Sequence, residues 1–256
     1  MIISNLKVYD LEESLLASGY AMRTELDEFI VTDKTLKRAK KLTKASNGNG
    51  AHGQFLTGIR VNFDLTLSLK AWVEAERYRF LEFVTSQSTM HRITKFDIKQ
   101  QCNEYVDERI INIVEEKVRD YNNILDAIKN ESYKEHGYTL EFMQDLAKDQ
   151  YLRVLYNIPS GFQLTARMTT NYRCLLNIYV QRHDHRLPEW REFCQLLLEL
   201  PYFKELVDAY YSKEIKGENE QCEVLKEQKN TEPKQKKKLK ILLSKLKKKV
   251  NPTASA

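Results

Sequence analysis

Four groups of residues in this chain have types and spacings that could do chemistry, and three of them could hold an anionic ligand. The first is Asn171-Tyr172-Arg173, followed by Arg182. Arginine suits phosphate or carboxylate because its planar fork makes paired, charge-assisted hydrogen bonds. If one helix carries this stretch, Asn171 and Arg182 lie about 20° apart around its axis, with Ile178 between them, while Arg173 projects nearly opposite. Two arginines that both touch ligand must then serve different sites or different subunits. The second group is Glu76-Arg77-Tyr78-Arg79, where two cations can grip a phosphate while the ring packs on a flat ligand. The third runs from Ser86-Gln87-Ser88 through Thr89 and Met90 to His91-Arg92, a stretch dense in donors. The fourth is His183-Asp184-His185. On a helix these imidazoles splay by about 200°, so they share no ion, and no metal site is expected. Spacing alone leaves a second reading open for each arginine, that of a surface ion-pair residue, and hydroxyl-rich loops commonly cap helices.

Other reactive patterns are missing from the sequence. Cys102, Cys174, Cys194 and Cys222 are widely spaced and form no C-x-x-C pair, which reads as reduced thiols rather than a disulfide frame or zinc site. Gly48, Gly50 and Gly53 follow a helix and precede a strand, the reverse of a dinucleotide fingerprint, and no Walker phosphate loop occurs. No catalytic residue is assigned.

The elements that must position these groups follow from periodicity. The first eleven residues read as a strand, and residues 11–22, with Gly19, as a short helix and turn. A basic amphipathic helix over 32–46 starts at a Thr32 or Asp33 cap and stops at Asn47-Gly48-Asn49-Gly50. Ile59, Val61, Phe63, Leu65, Leu67 and Leu69 alternate with polar partners, the mark of a strand with one buried face. From Leu69 the spacing turns helical through Phe83, placing Arg77 and Arg79 on that helix. Further helices are expected over 97–130, over 139–156 ahead of Pro159, from Asn171 to about His185 with Thr170 as cap, and over 188–200 with Pro188 in the first turn. This is a helix-rich α/β (α+β) body of residues 1–212 with a small sheet. A polar linker over 213–233 and a Lys-rich amphipathic tail over 234–256 are expected to follow.

Charge divides the same way. Residues 213–256 hold 13 Lys and 6 Glu, a net of +7 within a chain total of +5, which leaves the body at −2. The alkaline character therefore belongs to the tail, and the body is not expected to bind nucleic acid through its overall charge. No apolar run approaches the roughly 20 residues that cross a bilayer, and no secretory pattern opens the sequence, so a cytoplasmic protein is expected.

Taken in order, the arginine groups resemble the flavin-dependent thymidylate synthases. Residues from Phe55 to Arg79 are similar to that family's strand and helix ending in Arg-His-Arg, with Arg77-Tyr78-Arg79 here and His52 in the place of a preceding histidine. Arg153, Pro159, Asn171-Tyr172-Arg173-Cys174-Leu175-Leu176, Arg182 and Trp190 are similar to the family's C-terminal pattern. The resemblance covers about 130 residues in matching order. It implies an enzyme methylating dUMP to dTMP with FAD, reduced nicotinamide (NADPH) and methylene-tetrahydrofolate, in a homotetramer with sites between subunits. It further implies FAD contacts from His52, Arg77, Tyr78, Arg79, Asn171 and His185. Nucleotide contacts would come from Arg153, Arg173, Arg182, Ser86, Gln87 and Ser88. Divergent, Lys-rich relatives of this kind resemble phage-encoded proteins, which implies a bacterial host cytoplasm.

The sequence departs from the family pattern at Tyr78, which stands where the central histidine belongs. It departs again after Arg79, where Phe80-Leu81-Glu82-Phe83-Val84 lacks the family's serine and Asn-Glu pair. Two alternatives stand beside the enzyme: a non-catalytic nucleotide- or flavin-binding protein of the same fold, and a nucleic-acid-associated protein acting through its tail. In the tail, Leu239, Leu242, Leu243, Leu246 and Val250 form an apolar stripe among lysines, a pattern that suits anionic membrane or nucleic acid through residues 234–250.

Overall fold

Val61, Phe63, Leu65 and Leu67 recur at every second position, so one strand buries all four on a single face, and each is at most 1 % exposed. That strand lies inside a four-stranded antiparallel sheet in a computed structural model that describes residues 2–26, 29–48 and 50–212. The elements are β1 (Ile2–Tyr9), α1 (Leu11–Ala17), α2 (Asp33–Ala45), β2 (Arg60–Ser68), α3 (Leu69–Ala75), β3 (Glu82–Ser86), α4 (Thr89–Arg92), α5 (Ile98–Gln101), α6 (Glu108–Lys129), α7 (Leu140–Leu155), β4 (Gln163–Asn171), α8 (Tyr172–Arg182), α9 (Pro188–Leu197) and α10 (Phe203–Tyr211). The sheet order is β1-β2-β4-β3. The linker and tail expected at 213–256 lie outside the described residues.

Two cores follow from this arrangement. The inner sheet face packs with α3, α8, α9 and α10 around Phe63, Tyr172, Trp190, Phe193 and Phe203. A second cluster of Ile93, Ile98, Ile111, Val114, Val154 and Phe162 lies under the α6–α7 hairpin. On the outer sheet face, Asp64 pairs with Arg167 at 3.1 Å and Thr66 with Thr165 at 2.8 Å, directly across the β2–β4 register. Among the described residues, no helix is long and apolar enough to cross a membrane.

Several boundaries differ from the periodicity reading. The helix expected from Leu69 to Phe83 ends at Ala75, and a loop leads into the edge strand β3, whose five residues are all exposed. An edge strand with no buried face carries no alternation to read. Strand β4 escaped the reading because its buried positions are Ala166, Met168 and Thr170, a weak contrast against their neighbours. The region 97–130 is two helices, since Asp107 caps α6 and Gly161 meets the intervening loop. A Cβ on Gly161 would stand 2.5 Å from Val106 Cγ2, so only glycine admits this approach. Finally, Asn171 rather than Thr170 caps α8, accepting from the Cys174 backbone N–H at 2.9 Å. Thr170 is still in the ladder, opposite Val61.

The junction from β2 into α3 is held by buried polar groups. Ser68 Oγ accepts from Ala71 N–H at 3.2 Å and donates to Glu189 Oε2 at 2.8 Å, while Ser68 N–H donates to Glu189 Oε1 at 2.7 Å. Both residues are buried. Ser68→Ala removes a helix cap and one of the carboxylate's donors, so a loss of about 1–3 kcal/mol is expected. In a unit of this size that lowers the melting temperature by roughly 3–10 °C, read by circular dichroism. An unchanged melt would remove Ser68 from this role.

Candidate functional site

The early end of α3 decides where the arginine pair points. On a continuous helix Arg77 and Arg79 would splay by about 200°, but in the loop the burial pattern alternates. Tyr78 is 8 % exposed and turned inward, while Arg77 and Arg79 are exposed on the other side. They meet Arg173, near the start of α8, and Arg60, at the start of β2, around a groove of about 930 Å³. Gln54, Asn171 and the carboxylate of Glu82 line the same groove. The volume is at the upper end of the range for small-molecule sites, about 300–1,000 Å³.

Small residues admit the Arg173 guanidinium beside the 3₁₀ turn Gly50–Thr57. A Cβ on Gly50 would stand 3.2 Å from Arg173 Nη2, and Arg173 Nη1 donates to Gln54 Oε1. Cys174, at the groove's base, is buried, and burial pushes its thiol up. Burial pushes Cys194 up to about 12, so neither is a ready thiolate at neutral pH. Among the described residues, no group of three or more His, Cys, Asp or Glu side chains is arranged to hold a metal ion.

Beside the groove lies a part-buried polar cluster centred on Arg182. Its Nε donates to the Tyr78 hydroxyl at 2.8 Å, and its Nη1 donates to Glu74 Oε2 at 2.8 Å and lies 2.7 Å from His185 Nε2. The guanidinium stacks over the Trp190 and Tyr78 rings, 5.1 and 5.7 Å from their centroids. Trp190 Nε1 donates to the same Glu74 oxygen at 3.1 Å, and the Tyr78 hydroxyl donates to Gln181 Oε1 at 3.0 Å. Burial raises the Tyr78 hydroxyl's pKa, against the lowering effect of Arg182, so it remains a donor at neutral pH.

The residues singled out by sequence therefore fall into three places. Arg77, Tyr78, Arg79, Asn171 and Arg173 line the groove. Tyr78 also joins Arg182 and His185 in the internal cluster, its hydroxyl bonded to Arg182 and its ring against Trp190. The others lie elsewhere. His52 is exposed on the 3₁₀ turn. Arg153 pairs with Asp149 at 2.7 Å on α7. Ser86 ends β3, Gln87 extends its pairing by bonding Thr165 through backbone and side chain, and Ser88 precedes α4. Ser86 lies four strand steps beyond Glu82, about 13 Å at 3.3 Å each. His183 stacks on Tyr179, at 5.3 Å, away from His185.

Sequence reasoning missed Arg60, Gln54 and Glu74. Arg60 sits at the solvent end of a correctly read strand, and Glu74 is an unremarked helix carboxylate four residues before Tyr78. Only the end of α3 brings them into use.

No family model matches the sequence, and no curated protein matches it. Solved structures do match its fold. Thymidylate synthase X from Helicobacter pylori, solved with FAD and dUMP, superposes with a TM-score of 0.54 at 18% identity, over 83% of this chain and 100% of that one. A second structure of the flavin-dependent thymidylate synthase from Helicobacter pylori, also complexed with FAD and dUMP, gives 0.53 at 17% identity, over 82% and 98%. The fold is thus the one seen in flavin-dependent thymidylate synthases, a helix-rich α+β body around a small antiparallel sheet.

Proposed function

We propose that the arginine groove binds a flavin nucleotide, FAD, and that the protein acts on dUMP as a divergent flavin-dependent thymidylate synthase. The observation that carries this reading is the convergence of Arg60, Arg77, Arg79 and Arg173 on one groove in which Glu82 is the single lining carboxylate among the described residues. Four guanidinium groups suit the linked phosphates of a dinucleotide, and the volume suits more than a mononucleotide. Bound FAD would supply the hydride chemistry, with NADPH and methylene-tetrahydrofolate as co-substrates. The chain's own part is positional and electrostatic.

The hydroxyl and amide groups at Ser86, Gln87 and Ser88, and Arg153 on α7, stand away from this groove. In a homotetramer they would serve the groove of a neighbouring subunit, which is how a dUMP phosphate would gain contacts that one copy does not assemble. The second reading, a flavin-binding protein without methyl transfer, is favoured by one observation: Arg182 is held by Glu74 and Tyr78 rather than open to substrate.

Titration with FAD, followed by visible absorption and fluorescence anisotropy, tests the first claim. Saturable binding is expected; none at millimolar FAD would overturn it. Tritium release from dUMP labelled at the ring carbon that takes the methyl group, with all co-substrates present, then separates the readings. Binding with release supports the synthase, and binding without release leaves the flavin-binding protein.

A further inference from the structure

Arg77 and Arg79 reach the groove from a loop of six residues, Glu76 to Leu81, while Arg173 and Asn171 reach it from the start of α8. An anion gripped from both sides needs these two sources at a fixed separation. Two backbone hydrogen bonds shape the loop itself, Tyr78 N–H to Ala75 O at 3.0 Å and Leu81 N–H to Tyr78 O at 2.9 Å. Neither reaches α8.

Two links join the loop to α8, a backbone hydrogen bond between Phe80 and the Cys174 thiol and the longer-reaching Tyr78 side chain. Its hydroxyl accepts from Arg182 Nε and donates to Gln181 Oε1, so one oxygen joins the loop to two successive residues at the end of α8. Gln181 continues the chain by donating to Asn177 Oδ1 at 3.1 Å, and Asn177 lines the groove. Arg182 is held in turn by Glu74 of α3, and Trp190 of α9 packs over it. Nine residues separate Arg173 from Arg182, about 900° of helix, so they project from opposite sides of α8. One side of the helix presents a cation to the groove, and the other anchors the loop that presents two more.

We infer that Tyr78 and Arg182 are positioning residues, which set the distance between the Arg77–Arg79 pair and Arg173 and thereby preorganise the groove for a ligand carrying linked phosphates. Arg182 lies outside the groove's lining, and the Tyr78 hydroxyl, the group that does the positioning, is taken up by Gln181 and Arg182. The inference rests on the proposed flavin-nucleotide reading of the groove, and it assigns Arg182 a role other than a nucleotide clamp.

Tyr78→Phe tests it, because the ring and its packing remain while the hydroxyl goes. FAD affinity is measured by anisotropy well below the melting temperature for wild type, Tyr78→Phe and Arg79→Ala, each over a range of salt. Tyr78→Phe is expected to bind FAD about tenfold more weakly, the scale of one lost hydrogen bond to a charged group. Its salt dependence should match wild type, since no cation has left the groove. Arg79→Ala should flatten that dependence, since one phosphate contact is gone. A purely structural role for Tyr78 would lower the melting temperature and leave FAD affinity in the folded range unchanged, which overturns the inference. If wild type itself does not bind FAD, the flavin reading fails instead, and the two failures are told apart. Should Tyr78→Phe not fold, Gln181→Leu removes the hydroxyl's acceptor from an exposed position, and weaker FAD binding is again expected. Unchanged binding there counts against the inference.

Discussion

Glu74→Ala is expected to lower stability by about 3–5 kcal/mol, the scale of breaking a buried ion pair from one side. In a unit of about two hundred residues that shifts the melting temperature down by roughly 6–20 °C. The side chains of Glu74 and Arg182 are each only 14% exposed, so water does little to replace the lost carboxylate. The indole N–H of Trp190, a residue with no exposed surface, loses its acceptor in the same step. The exposed pairs Lys134–Glu131, Lys148–Asp145 and Arg153–Asp149 provide the contrast, because each is worth about 0–1 kcal/mol. Glu74→Gln should lose less, since an amide oxygen still accepts from Arg182 and Trp190. The double variant Glu74→Leu with Arg182→Met should recover much of the loss, because it leaves no unpaired charge in the interior. Chemical denaturation of the four proteins measures these differences. A Glu74→Ala variant as stable as wild type would mean that the cluster does not hold α3, α8 and α9 together.

How much of this was legible in the sequence depended on contrast. Strand β2 could be read because Val61, Phe63, Leu65 and Leu67 face Asn62, Asp64 and Thr66, large apolar against polar at every step. Its partner β4 offers Ala166, Met168 and Thr170 inward and Thr165, Arg167 and Thr169 outward, and with threonine on both faces and a small alanine inside, the period is hard to see. Helix α2 could be read from Thr32, whose side chain caps Thr35. The start of α8 could be read only to within one residue, since Thr170 and Asn171 are both good caps and only the bond from the Cys174 N–H to the Asn171 side chain decides between them. The arginine pair was legible as a pair, and its partner Arg173 as a cation on the opposite side of α8 from Arg182. That Tyr78 points inward was not, because this depends on α3 ending at Ala75, and Tyr78 and Phe83 fit a helical continuation as well as a turn into an edge strand. The role of Arg182 was hidden for a related reason. Its partner Glu74 lies more than a hundred positions away, and no local spacing joins them.

The double variant Arg77→Ala with Arg79→Ala is expected to weaken FAD binding at least about a hundredfold while leaving the fold intact. Each guanidinium contact to a phosphate is worth about 1.5–3 kcal/mol, or roughly ten- to a hundredfold, and both cations are exposed, with no buried charge partner to be orphaned. Equilibrium titration measures the affinity, and an unchanged melt shows that the loss is local. Replacing both by lysine keeps the charge but not the planar fork, so an intermediate loss is expected. The alternative is attraction to general charge, which at +5 for the whole chain is owed to residues 213–256 and not to the body that carries the groove. Residues 1–212 carry a net charge of −2, so the body as a whole repels an anion, and binding there must come from cations gathered at one place. Lys148→Ala, which removes an exposed cation on α7 outside the groove, changes the net charge by one without touching the site. If that control weakens FAD binding as much as the loss of Arg77 and Arg79, the groove is not the binding site. If only the groove variants lose it, the four arginines are.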